Sequence, residues 1–122
     1  MLELVLGGAR SGKSAFAESQ ARLSGLPVAY LATGEGRDEE MRARIARHRQ
    51  QRPDHWRTLE EPVRLAEVLT REAAPEKCLL VDCLTLFLSN VLLGGVEREI
   101  DLLLAVLPGL PGHIVMVSNE VG

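Results

Sequence analysis

Lysine is scarce in this sequence: Lys13 and Lys77 are its lysines, and arginine supplies the rest of its 14 basic side chains. Aromatic residues make up 3% of the 122, so any core is built mainly from Leu, Val and Ala. There is little excess charge. A formal net charge of -3 gives no general electrostatic reason to expect nucleic acid or an anionic membrane as partner. The two cysteines, Cys78 and Cys83, fit neither a zinc spacing nor a disulfide scaffold, and they read as reduced core residues of a cytoplasmic protein. Signal-peptide pattern, repeats and low-complexity stretches are missing, and the apolar runs break too soon for a membrane span. What is present is 46% hydrophobic residues in a length that suits one compact domain, residues 1–122.

The scarcity of lysine gives weight to the place where one occurs. Leu4-Val5-Leu6 has strand character and runs into Gly7-Gly8-Ala9-Arg10-Ser11-Gly12-Lys13-Ser14, after which a helical pattern extends from Ala15 to Leu23. This is the phosphate-binding loop, G-x-x-x-x-G-K-[ST], between the strand and helix it requires. Glycines let successive backbone N–H groups converge on one anion with no Cβ in the way. The helix start aims its positive dipole end at the same point. Lys13 adds a compact point charge for the β- and γ-phosphates, which an arginine would not supply in the same form. Ser14 is placed to ligate Mg²⁺.

Ser24-Gly25-Leu26-Pro27 stops the first helix, and Val28 to Ala32 reads as a second strand, so strand, helix and strand form a βαβ unit with parallel strands. Thr33-Gly34 turns at the carboxyl end of that strand, the edge where open α/β sheets bind ligands; a plain turn reads equally well. Asp38 to Gln51 is helical in composition. Arg44, His48 and Arg52 share one face there, with Arg47 and Arg49 beside the histidine. Positive neighbours favour a neutral imidazole near pH 7, which can act as a nucleophile, and the arginines can hold phosphate. The same pattern also describes an ordinary solvated basic face. Pro53 ends the helix. A short strand follows at Trp56 to Leu59, then a helix at Val63 to Ala73.

Cys78-Leu79-Leu80-Val81-Asp82 reads as a buried strand ending in an acid, where Asp82 serves either as a Walker B ligand for Mg²⁺ or as a cap for the next helix. Helices are predicted at Thr85 to Leu93 and Glu97 to Leu107, and a last strand at His113 to Val117 flows into Ser118-Asn119-Glu120-Val121-Gly122. The expected architecture is α/β: a P-loop NTPase of the RecA-like kind, with a mainly parallel sheet flanked by helices.

Four segments together carry a more particular likeness: Gly-Gly-Ala-Arg-Ser-Gly-Lys-Ser (7–14), Ala-Thr-Gly (32–34), Arg-Ile-Ala-Arg-His-Arg (44–49) and His-Trp-Arg-Thr-Leu-Glu (55–60), joined by Ser-Asn-Glu-Val-Gly at 118–122. The sequence resembles the bifunctional adenosylcobinamide kinase / adenosylcobinamide-phosphate guanylyltransferase family of cobalamin biosynthesis. That resemblance implies phosphorylation of adenosylcobinamide with ATP or GTP. It also implies GMP transfer from GTP through a covalent GMP on His48, giving adenosylcobinamide-GDP, with Mg²⁺ as cofactor. It carries over nucleotide-binding positions at Gly7, Gly8, Ala9, Arg10, Ser11, Gly12, Lys13 and Ser14, at Ala32, Thr33 and Gly34, at Arg49, Gln50, Gln51 and Arg52, and at Glu60 and Asp82. Ser14 and Asp82 are the implied Mg²⁺ ligands, Lys13 acts in catalysis, and Glu120 is a candidate acid or base. Glu60 is suited to accept hydrogen bonds from the guanine N1–H and amino group. The family continues past the last motif, so a single domain lacking its C-terminal part, working as a homo-oligomer, is expected. Two other readings stay open: a simpler P-loop kinase or ATPase without covalent nucleotide, and a GTP-binding module without turnover.

Overall fold

The structure is a computed structural model and describes residues 1–7, 13–34 and 56–119; of Gly7, Lys13, Ser14 and Asn119 it describes the backbone. Among the described residues five strands form one sheet: β1 (Leu2–Gly7), β2 (Val28–Ala32), β3 (Arg57–Glu60), β4 (Cys78–Asp82) and β5 (His113–Asn119). Their order is β1-β5-β4-β2-β3, and every pairing is parallel. The described helices are α1 (Lys13–Leu23), α2 (Leu65–Glu72), α3 (Leu84–Gly94) and α4 (Arg98–Val106), with a 3-10 turn at Leu107–Gly109; the helix expected at Asp38 to Gln51 lies outside the described residues. This is the expected α/β fold. Among the described residues no helix is long and apolar enough to cross a membrane.

Strand alternation divides the core in two. On one face Val28, Tyr30, Ala32, Cys78, Leu80, Val115 and Val117 pack with Ala17 and Ala21 of α1 and with Trp56. On the other, Ala29, Leu31, Leu79, Val81, Ile114 and Met116 pack with Leu65, Val68 and Leu69 of α2, Phe87 and Val91 of α3, and Leu103 of α4. Both faces being covered explains why β2 and β4 read as unbroken apolar runs rather than alternating ones. The connection from β1 to β2 crosses the sheet one way and lays its helix on the first face. The connections leading back to β4 and β5 lay theirs on the second, as crossovers of a single hand require. Burial pushes the Cys78 thiol up, outweighing a hydrogen bond with Ser24, and Cys78 and Cys83 are buried free thiols as expected.

The edge strand β1 is less covered. Leu2, Leu4 and Leu6 continue the second face in register with Ile114, Met116 and Ser118, yet each is more than half exposed.

Two element boundaries differ from the sequence reading for visible reasons. The second helix starts at Leu65 rather than Val63, because the Glu61 carboxylate accepts from the N–H groups of Val63 and Arg64 and holds Pro62 to Arg64 as a turn. The third strand starts at Arg57 rather than Trp56, whose ring is buried against the α1 side with the Arg22 guanidinium 5.9 Å from its centroid.

Arg57 also ties β3 to α2. Its Nη1 lies 3.0 Å from Glu72 Oε1, while Arg71 Nε lies 3.4 Å from Oε2. The Arg57 contact is one of charge more than of alignment, since Oε1 has no well-directed donor among the described residues. Burial raises the Glu72 pKa, but the two guanidiniums outweigh it and the net shift is downward. A depressed carboxylate contributes stability that is present above its unfolded pKa and lost as pH falls through the folded value. The pair is half open to solvent, so its worth at neutral pH is below about 1 kcal/mol. Arg57→Ala is expected to lower the thermal midpoint slightly at pH 7, and the difference from wild type is expected to shrink towards zero as pH falls through the carboxylate range. A thermal-denaturation series across that range checks this.

Candidate nucleotide site

Parallel pairing brings all five carboxyl ends to one edge. Glu60, Ala32, Asp82, Val117 and Val5 form one register row across the sheet, and Asn119 with Gly7 lies two residues beyond it. Of the expected site residues, Gly7, Ala32, Thr33, Gly34, Glu60 and Asp82 therefore meet at one edge, with α1 starting at Lys13 behind the loop. At about 4.8 Å per strand interval, β3 lies roughly 19 Å from β1. The edge has a phosphate-loop end and a Glu60 end. Gly8 to Gly12, the segment holding His48, Arg49, Gln50, Gln51 and Arg52, His55, and Glu120 lie outside the described residues, as do the side chains of Lys13 and Ser14.

Asp82 is in register with Ala32, so it points to the α1 face of the sheet. It does not cap the helix that follows. Cys83 is the N-cap residue, with no side-chain cap bond. The Tyr30 hydroxyl instead donates to Asp82 Oδ2. Tyr30 is buried in the α1-side core two residues before the end of β2, so the carboxylate is oriented by a ring that cannot move freely. Mg²⁺ is commonly held by one or two carboxylates together with substrate phosphates and waters. A hard oxygen donor on the face where the loop's helix begins fits that ion.

Thr33 is fully buried. Its hydroxyl donates to Cys83 O at 2.7 Å and accepts from Cys83 N at 2.9 Å, and its N–H donates to Asp82 O at 3.1 Å. Its carbonyl accepts from Asn90 Nδ2 at 2.8 Å. The same Nδ2 donates to Pro62 O at 3.1 Å, and Glu61 N donates to Ala32 O at 3.0 Å. Polar bonds thus stitch together the carboxyl ends of β2, β3 and β4. Sequence reasoning singled out neither Tyr30 nor Asn90 for the site. The signal available was a lone tyrosine hydroxyl in Val-Ala-Tyr-Leu-Ala and a lone carboxamide in the apolar run Leu-Thr-Leu-Phe-Leu-Ser-Asn-Val-Leu-Leu.

The chain matches the family model described as cobinamide kinase / cobinamide phosphate guanyltransferase over residues 3–122. It is 56% identical over 126 aligned positions to the bifunctional adenosylcobalamin biosynthesis protein CobP of Pseudomonas aeruginosa, covering 100% of this chain and 73% of that protein. It is 40% identical over 140 positions to the bifunctional adenosylcobalamin biosynthesis protein CobU of Salmonella typhimurium, covering 100% of this chain and 76% of that one. The protein of the same name from Escherichia coli gives 40% over 139 positions, with the same coverage.

Proposed function

The chain belongs to the cobinamide kinase / cobinamide phosphate guanyltransferase family, and from that premise we propose that it performs both reactions of cobalamin biosynthesis along the one sheet edge. In the first, the aminopropanol hydroxyl of adenosylcobinamide attacks the γ-phosphorus of ATP or GTP, and the nucleoside diphosphate leaves. Such transfer depends on positioning and charge neutralisation. The loop Gly7 to Ser14 grips the phosphates, Lys13 follows the transferring group, and Asp82 or Glu120 takes the hydroxyl proton. Bound Mg²⁺ neutralises charge on the phosphates, and Ser14 and Asp82 are the residues that would hold it. In the second reaction, a ring nitrogen of His48 attacks the α-phosphorus of GTP, forming a P–N bond as pyrophosphate leaves. A phosphate oxygen of adenosylcobinamide phosphate then attacks the same phosphorus, the P–N bond breaks, and adenosylcobinamide-GDP is released. Arg49 to Arg52 and Ala32 to Gly34 line the nucleotide. On this reading residues 1–122 are one P-loop domain of a cytoplasmic homo-oligomer.

The observation that supports this reading best is the register, which sets Asp82 on the α1 face of the edge where the loop strand ends. The test is intact-mass analysis of the protein after incubation with GTP and Mg²⁺. One acid-labile GMP per chain is expected. A protein that binds GTP and phosphorylates adenosylcobinamide but never gains this mass would reduce the function to a kinase. The guanine end has its own test. Glu60→Gln is expected to weaken GTP by about tenfold, the scale of a lost charge-assisted hydrogen bond, and ATP by less than about twofold. Equal losses in titration calorimetry would remove the base-reading role.

A further inference from the structure

Asn90 sits six residues into α3, one turn beyond buried Phe87 and next to buried Val91. Its choice is not explained by the helix. Asparagine is a poorer helix former than the leucines around it, and a leucine there would bury better. Its carboxamide accounts for it. The acceptors of Nδ2 are two carbonyl oxygens, Thr33 O at 2.8 Å and Pro62 O at 3.1 Å. This settles the orientation of the amide, since the opposite one would set its own oxygen against two others.

The two carbonyls belong to different loops. Thr33 is the first residue after β2, and Pro62 is the second after β3. The helix that presents Asn90 is itself anchored, because Thr33 Oγ1 bonds both Cys83 N and Cys83 O at its N-cap. Thr33, Cys83, α3 and Asn90 thus close a ring, and Pro62 is the one member outside it. The β2–β3 ladder ends at the Ala32–Glu60 pair, and beyond it the loop after β3, with Pro62 two residues past Glu60, is held to β2 by the Asn90 side chain and by the Glu61 N bond to Ala32 O.

We propose that Asn90 is a positioning residue that sets the base specificity of the nucleotide site by holding the carboxyl ends of β2 and β3 at a fixed separation. The inference rests on the reading of Glu60 as the group that meets guanine. The bonds of Asn90 act on the β2–β3 end of the edge. The phosphate loop hangs from β1, whose sheet partner is β5. Loss of Asn90 therefore loosens the base-reading end and leaves the phosphate-gripping end in place.

This gives a sign that a merely stabilising asparagine does not share: GTP is affected and ATP is not. The experiment measures dissociation constants for GTP and ATP by titration calorimetry on the whole protein. It compares wild type, Asn90→Leu, Asn90→Gln and Glu60→Gln, with thermal midpoints taken alongside. Asn90→Leu keeps volume and removes both donors. It is expected to weaken GTP by about tenfold, the scale of a misplaced hydrogen bond to a charged group, with ATP within about twofold. Asn90→Gln keeps the donors but moves them by one methylene, and is expected to shrink the GTP-to-ATP preference by a smaller factor. It decides the matter alone if the leucine variant does not fold. An unchanged preference, with or without a lower thermal midpoint, overturns the proposal and makes Asn90 a structural bolt. Glu60→Gln separates the two ideas. If it retains the preference while the Asn90 variants lose it, the positioning role stands and another group reads the base.

Discussion

Replacing His48 with alanine is expected to remove guanylyl transfer by a factor of roughly 10⁴–10⁶, the range seen when a covalent nucleophile is deleted, and to leave the kinase reaction within about threefold. The asymmetry follows from the chemistry. In the kinase half the attacking group belongs to the substrate, and the protein supplies position and charge. On the proposed reading the attacking group of the transferase half belongs to the protein, and without it that two-step route would not exist. The residues next to His48 are Arg47 and Arg49. The sequence therefore leads to the expectation of a neutral imidazole there, the form with a lone pair to give. Intact-mass analysis with GTP and separate assays of the two reactions check the expectation. His55→Ala is the control, because His55 stands beside Trp56, outside the arginine-flanked segment. A GMP adduct that survives in His48→Ala and vanishes in His55→Ala would reverse the assignment. Equal loss of both activities would mean that His48 shapes a shared site instead of attacking.

The second large effect concerns the opposite end of the sheet. Gly112→Ala is expected to destabilise the protein by about 3–5 kcal/mol. Gly112 has φ +82°, in the left-handed region, and a Cβ there would lie 2.2 Å from Ala74 O and 2.6 Å from Lys77 O. Both obstacles are backbone carbonyls of the turn before β4. That turn is closed by Lys77 N on Ala74 O at 3.0 Å and bonded to the start of β5 by His113 N on Lys77 O at 3.1 Å. Backbone strain of about 1–3 kcal/mol and an overpacking term of similar size therefore combine. Gly25 has φ +70° with nothing within 4 Å of its would-be Cβ, so Gly25→Ala carries the strain alone, about 1 kcal/mol. Denaturant titration of the two variants separates the contributions. Against a total of about 5–15 kcal/mol, Gly112→Ala consumes a large share of stability and Gly25→Ala a small one. Similar losses at the two positions would show that the carbonyls at Ala74 and Lys77 yield to the methyl group.

What could be read from the sequence was what is written locally. The strand from Leu4, the helix running to Leu23, the Gly25–Pro27 stop and the apolar run into Asp82 each express a preference over a few residues, and each became the expected element, while the glycine loop between that strand and helix lies outside the described residues. The α/β class and the parallel sheet followed from that alternation. The strand order did not, because β1 pairs with β5 from the far end of the chain. The stitching of the site was hidden for the same reason. Tyr30 and Asp82 are 52 residues apart, Thr33 and Cys83 are 50 apart, and Asn90 reaches Thr33 across 57. A pattern of period two or 3.6 carries no information at such distances. The helix starts at Leu65, two residues later than the sequence suggests, because the Glu61 carboxylate draws the N–H groups of Val63 and Arg64 into a turn ahead of it.

The pairing of β1 with β5 also sets a timetable. Of the five described strands, the one that leads into the phosphate loop is made before the other four, and its described partner in the sheet is made after them. At roughly 5–20 residues per second of synthesis, Leu2 to Gly7 wait about 5–20 seconds before Asn119 exists to pair with Gly7. During that wait a ribosome-borne chain holds β1 without the strand it pairs with. A ligand that binds only the paired strands stabilises them by mass action, so any nucleotide taken at this edge acts after β5 has joined β1.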